Sequence, residues 1–274
     1  MTDTRFRGGA VLAATILSMA AFSAQAQSRV EVGYVYIDGR NDAGAMTMEA
    51  GHHADWRTVD RGSGAALRFR HDWQDWPGFY VIADYQRLNL ASRYSKGYWD
   101  CASPTSPPPL SENPCFVVPE RFNYDERYHD YGLSLGWRYQ ANTRLAPWGE
   151  LGVNHERRAT SGGIVYRMDS DPPLTGGIMP VSDSETALRA AAGLDVALAE
   201  NTDLTLGLSF RNKAYRSAVH SYPIAGDPRP ISSSYLLEGV TRMQHGFGEH
   251  WLGYVEYRPS TKRQYFQAGI GYRF

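Results

Sequence analysis

The chain has 274 residues with 28 Lys and Arg against 29 Asp and Glu, a formal net charge of −1, and it carries 18 Tyr, 10 Phe and 7 Trp. That balance gives no basic field for a nucleic-acid partner, and past the N-terminal stretch no run of 18 or more apolar residues could form a membrane-spanning helix. Mean hydropathy is negative, yet this does not exclude a transmembrane barrel, in which half of each strand faces a polar interior.

In chain order, Arg5 and Arg7 precede an apolar run over 10–22, and "AQA" follows at 24–26. A basic start, a short apolar core and a small-x-small site form the layout of a secretory signal peptide. Residues 1–26 are therefore expected to be cleaved, leaving 27–274 as one β domain.

From there, apolar residues recur with period two in ten segments: 29–38, 64–73, 79–90, 128–139, 145–158, 185–199, 203–215, 235–244, 251–258 and 264–274. Such alternation predicts half-exposed strands. The connections alternate too. Tight turns are predicted at "DWPG" (75–78), "QANT" (140–143), "AENT" (199–202) and "GFGEH" (246–250). Long loops are predicted near 39–63, 91–126, 159–184 and 216–234, with a modest one at 259–263. An even strand count places every tight turn and both termini at one end, the asymmetry of an outer-membrane barrel. The predicted fold is all-β, a single antiparallel up-and-down transmembrane β-barrel of about ten strands. Eight and twelve are the alternatives, because 162–180 could add an external hairpin and the final short hairpin could be misread.

The second long loop contains Cys101 and Cys115. In an exported chain, two nearby cysteines most simply form a disulfide. Closing such a loop removes about 3 kcal/mol of unfolded-state entropy. Two cysteines alone make a poor metal site, and no cofactor or metal is expected.

Strand parity sorts the side chains into two faces. Leu133, Leu206 and Ile270 share theirs with other apolar residues, and aromatics lie near strand ends at Tyr36, Phe79, Trp137, Tyr139, Trp251 and Tyr257. An interfacial aromatic girdle, glycines alternating with charges on the polar face and lopsided loops place lipid outside. The lumen face then holds Glu31, Arg68, Arg70, Asp72, Asp84, Asp130, Arg138, Glu150, Glu156, Arg158, Arg189, Asp195, Arg211, Glu238, Arg242, Glu256, Arg258 and Arg273. A selective pore would show one sign in excess at its constriction. Near balance instead predicts Arg–carboxylate bridges across the lumen.

Catalytic candidates are sparse. "HD" at His129–Asp130, "DE" at Asp125–Glu126 and His155–Glu156 place neighbouring residues on opposite faces of a strand. No outward serine is expected near His129 or His155. "HHAD" (52–55) and His220 lie in predicted loops, and "GSG" (62–64) lacks the following helix of a phosphate loop, so it is read as the start of a strand. No catalytic residue is expected.

The last segment, "QYFQAGIGYRF", ends on Phe274 with Tyr272, Ile270, Ala268 and Phe266 at every second position. It resembles the terminal signal strand of bacterial outer-membrane β-barrel proteins. That resemblance implies recognition of Phe266, Ile270, Tyr272 and Phe274 by the barrel assembly machinery. It also implies residence among lipid and lipopolysaccharide in the outer membrane of a Gram-negative bacterium. The architecture alone is similar to omptins, outer-membrane proteases that set an Asp–His pair against an Asp–Asp pair across the external mouth, but no segment here repeats their Asp-x-His spacing on one face. The expected role is non-catalytic: structural or interaction-related, or narrow and porin-like with a charge-bridged lumen and an unspecified external partner. The alternative is an outer-membrane enzyme, omptin-like or lipid A-modifying, with a site at the external mouth.

Overall fold

A computed structural model describes residues 27–47, 53–101, 115–139, 144–167, 174–178, 182–212, 235–261 and 263–274. The predicted signal peptide, the "QANT" turn, the 216–234 loop, His52 and His220 lie outside the described residues. The strands are β1 (Gln27–Thr47), β2 (His53–Asp72), β3 (Phe79–Cys101), β4 (Cys115–Arg138), β5 (Leu145–Arg167), β6 (Leu174–Ile178), β7 (Ser182–Ala199), β8 (Thr202–Arg211), β9 (Leu236–Phe247), β10 (Trp251–Pro259) and β11 (Arg263–Arg273). Among the described residues none is helical.

Ten of these strands form a closed antiparallel ring, each bonded to the next, with β11 returning to β1 through pairs such as Val32 with Ile270. Among the described residues the short β6 pairs only with the outer end of β5, Gly163 opposite Ile178. The external hairpin foreseen within 162–180 therefore exists without adding an eleventh stave. Following register partners once round from Asp195 through Thr205, Arg242, Glu256, Gln267, Val35, Gly64, Leu88, Tyr128 and Arg158 returns to the same strand at Asp183, twelve residues away. That stagger accompanies strands tilted roughly 35–45° to the barrel axis.

Among the described residues, the β2–β3, β7–β8 and β9–β10 turns lie at the end holding the terminal rung, where Ser28 and Phe274 exchange backbone hydrogen bonds of 3.1 and 3.0 Å. The short β10–β11 connection, with Ser260 bonded to Arg263, lies at the other end. In the β2–β3 turn, Gly78 has φ 90° and its carbonyl accepts from Arg138 at 2.8 Å. A side chain there would be strained in the left-handed region.

At the opposite end the strands outrun their predicted limits. The β1–β2 ladder continues to Thr47 and His53, β3–β4 to Cys101 and Cys115, and β4–β5 to Glu120 and Arg167. The predicted loops at 39–63, 91–126 and 159–184 are therefore largely sheet. Period-two alternation is written by contact with lipid. Beyond the membrane neither face need be apolar, so backbone pairing persists without the signal. At the other side of the rim, β8 ends at Arg211 rather than at 215.

Orientation is plain from burial. Leu133 is 55 % exposed, Leu206 42 % and Ile270 58 %, whereas Glu31, Asp130 and Glu256 are buried inside. In a chain with this arrangement the apolar wall meets hydrocarbon. Inside, glycines admit large rings flat against the wall: a Cβ on Gly136 would stand 2.2 Å from the Tyr80 ring, and one on Gly193 2.7 Å from that of Trp148.

Candidate functional site

The interior is built by side chains that leave one wall and end on another. Strands three apart are about 14 Å from each other along the sheet, so ion pairs between them must cross the lumen. Four do so. Arg242 of β9 donates to Glu31 of β1 at 2.7 Å, and Arg68 of β2 to Glu256 of β10 at 3.2 Å. Arg211 of β8 donates to Asp130 of β4 at 3.1 Å, and Arg189 of β7 lies 3.6 Å from Asp84 of β3.

Shared partners weld these bridges into two groups. Toward the turn end, Arg242 also reaches Glu256 at 3.0 Å, Arg29 reaches Glu31 at 3.1 Å, and Arg258 bonds to Glu256. Arg68 lies 3.7 Å from Asp84, and Arg189 lies 3.6 Å from Glu150. Toward the external end, Arg211 also donates to Glu156 at 2.7 Å, which accepts from Arg158 at 3.1 Å and from the Tyr128 hydroxyl at 2.9 Å. Asn154 donates to Asp130 at 2.9 Å. The forked guanidinium lets one arginine serve two carboxylates.

Of the charges placed on the lumen face, Glu31, Arg68, Asp84, Asp130, Glu150, Glu156, Arg158, Arg189, Arg211, Arg242, Glu256 and Arg258 come together in these groups. The others are more local. Arg70 bonds to Asp72 on its own strand at 2.6 Å and covers the Tyr80 ring at 3.7 Å. Arg138 meets Asp195 at 2.9 Å near the turn end, and Glu238 accepts from Arg263 at 2.8 Å. Arg29 and Arg263 were missed by sequence reading, Arg263 because it was read as part of a loop.

An apolar layer was also missed. Val35, Ile37, Ala66, Leu88, Leu90, Tyr128 and Tyr265 form one buried cluster inside the barrel. On β1 it stands external to Glu31. The available signal was "VYID", where Val35 and Ile37 are apolar between outward Tyr34 and Tyr36. Such a stretch is apolar on both faces. Below the ionic groups, at the turn end, a cavity of about 580 Å³ is lined by Ser28, Arg70, Tyr80, Trp148 and His250 among others.

Each histidine–acid pair is divided by the wall. His129 points outward, hydrogen-bonded to the Tyr85 hydroxyl at 2.9 Å, while Asp130 is buried inside. His155 is exposed and bonded to Thr186 at 3.0 Å, while Glu156 is inside. Hydroxyls do stand near these histidines: Ser184 is exposed opposite Arg157, one pleat from Thr186. The expectation of no outward serine is thus corrected, since it considered only the strand carrying the histidine. "GSG" is indeed strand, and a Cβ on Gly62 or Gly64 would fall 2.2 or 1.9 Å from the carbonyl oxygens of Asn89 and Arg87. Among the described residues no three His, Cys, Asp or Glu side chains converge as metal ligands.

Cys101 and Cys115 are register partners at the last rung of β3–β4. Phe266, Ile270, Tyr272 and Phe274 all face outward, Tyr272 edge-on to Trp251 with ring centres 5.0 Å apart.

The outer membrane protease OmpT from Escherichia coli superposes with a TM-score of 0.52 at 10% identity, covering 91% of this chain and 96% of that one. The translocator domain of the autotransporter NalP from Neisseria meningitidis gives 0.37 at 12% identity, covering 97% and 96%. Ail, the attachment invasion locus protein of Yersinia pestis, gives 0.34 at 13%, covering 90% and 98%. At such identities the likeness concerns the fold alone. No curated protein matches the sequence. Residues 10–227 match the family described as outer membrane protein beta-barrel domain. The chain belongs to that family and is an outer-membrane β-barrel.

Proposed function

We propose that this protein is a non-catalytic outer-membrane barrel with a closed lumen, acting through its external surface as a structural or interaction element. The observation that carries this reading is the set of four cross-lumen ion pairs beneath a buried apolar layer. Glu31 and Val35, inward on β1 on either side of Gly33, are both wholly inaccessible. A conducting path would have to part charges whose separation inside a low-dielectric core is costly.

The rim supports an interaction role. β3, β4 and β5 run for 23, 24 and 23 residues, against 9 for β10 and 11 for β11. From Tyr85 to Cys101 alone, β3 continues for roughly 50 Å, and this tall side offers a surface to an external partner. General-base chemistry at the mouth needs an imidazole and an orienting carboxylate in reach of each other, and the two described candidates are split across the wall.

The same reading takes residues 1–26 as an export signal removed on secretion, and the outward aromatic row of β11 as the segment presented to the assembly machinery. Planar-bilayer recording of refolded protein tests the lumen: small or no conductance is expected, and large stable steps would replace this reading with the porin one. Turnover of a peptide or of lipid A that His129→Ala abolishes would instead establish the enzymatic alternative.

A further inference from the structure

We propose that the outer wall of β3, β4 and β5 carries a docking site for the phosphorylated headgroup of an outer-leaflet glycolipid, formed by Arg87, Arg127, His129 and Arg157. Register places them side by side. Arg87 is the direct partner of His129 on one side and Arg157 on the other, and Arg127 stands one pleat repeat above His129. Directly opposed side chains in an antiparallel sheet have Cβ atoms about 5 Å apart, so the four groups share one small field. The three arginines are exposed and His129 is half-buried.

Height on the barrel identifies the occupant. One pleat repeat below, Tyr85 and Tyr131 are cross-strand partners with ring centres 5.0 Å apart. Beneath them the outward residues are Leu133, Leu135, Val153 and Leu151, all exposed. Outward tyrosines above an apolar wall mark the level of the headgroups. A molecule beside the barrel just above that line is a lipid headgroup, and its anionic group is phosphate.

Charge supplies the complement. Like charges on neighbouring strands repel, and among the described residues no carboxylate bonds to Arg87, Arg127 or Arg157. The contrast with the adjacent wall is direct, since outward Arg61 of β2 is answered by Asp38 of β1 at 3.3 Å. Asp125, the next outward residue up β4, lies on the aqueous side of the patch. Guanidinium groups match phosphate oxygens in pairs. The His129 ring is braced by the Tyr85 hydroxyl and stacked on Tyr131 at an interplanar angle of 10°. The patch is on the outside of a curved wall, where its three arginines stay exposed. A headgroup held beside it by its own acyl chains gains the effective concentration that a dissolved anion lacks.

The test is titration of the purified barrel in neutral detergent, read by native mass spectrometry of lipid adducts. Diphosphoryl lipid A should be retained by the unaltered protein. The double variant Arg87→Gln/Arg157→Gln should retain it about thirtyfold more weakly, as expected for loss of two surface cations, while Arg61→Gln should match the parent. Dephosphorylated lipid A, phosphatidylglycerol and inorganic phosphate should each bind far less. Equal retention of the dephosphorylated lipid, equal retention by the double variant, or full competition by inorganic phosphate at matched concentration would overturn the proposal. Should the double variant fail to fold, Arg127→Gln alone must still weaken retention.

Discussion

The Arg242 guanidinium meets the Glu31 carboxylate at 2.7 Å although the residues are 211 positions apart in sequence and three strands apart round the wall. Glu31 has no exposed surface, and Arg242 also serves Glu256. Removing the arginine leaves two buried carboxylates short of a counter-charge. Arg242→Ala is therefore expected to destabilise the barrel by about 3–5 kcal/mol. Arg61→Gln, which removes the solvent-exposed pair with Asp38 on the outer wall, should cost much less, because neither charge is left buried and unpaired. Urea unfolding in lipid vesicles, followed by tryptophan fluorescence, measures both. Equal losses would show that the pair carries no special weight.

Leu206 and Val35 separate the two faces in a second way. Leu206 is on the lipid wall and Val35 in the buried interior. Leu206→Arg should cost about 2–4 kcal/mol in a bilayer, the penalty for a charge at hydrocarbon depth, and little in detergent, where the side chain bends to water. Val35→Ala should cost the same in both media, since its neighbours are protein. Vesicle and micelle unfolding of the two variants gives the comparison, and a medium-independent Leu206→Arg would reverse the assignment of faces.

The ring was legible because lipid imposes alternation on every strand it touches, so "YGLSLGWRY" and "DLTLGLSFR" declare both their period and their outward face. Inward charges followed from the same parity, and the positions of Arg68, Asp130, Arg211 and Glu256 needed nothing more. Which arginine meets which acid was not legible. Partners such as Arg211 and Asp130 are set by the barrel's stagger, a sum of registers through ten strands that no single segment encodes. The apolar layer escaped for a related reason, since Val35 and Leu88 come together from different strands. The extended rim escaped because backbone pairing in water writes no apolar pattern.

Gly136 and Tyr80 face each other across the β3–β4 ladder, with room for a hydrogen and not for a methyl group. Gly136→Val should therefore push the Tyr80 ring off the wall and break its 3.1 Å hydrogen bond to Glu150. A loss of about 1–3 kcal/mol is expected for such overpacking. Adding Tyr80→Leu should recover part of it by freeing the space, a coupling that a double-mutant cycle reads directly. Strict additivity would mean that the ring and the glycine do not compete for the same volume.

Cys101 and Cys115 close the β3–β4 ladder as direct partners. Opposed residues in an antiparallel pair have Cα atoms about 4.5–5.5 Å apart, within the separation a disulfide spans. The bond is therefore expected to form in oxidised protein, and a non-reducing digest should yield the linked peptide. Its influence should be confined to the rim. The crosslink lies far along the strands from the ionic interior, so Cys115→Ser should leave the midpoint of barrel unfolding unchanged while hastening protease cleavage within 102–114. Free thiols that react with maleimide in the untreated protein would exclude the bond. A barrel midpoint lowered by as much as the interior variants would show that the rim and the membrane-embedded staves unfold as one unit.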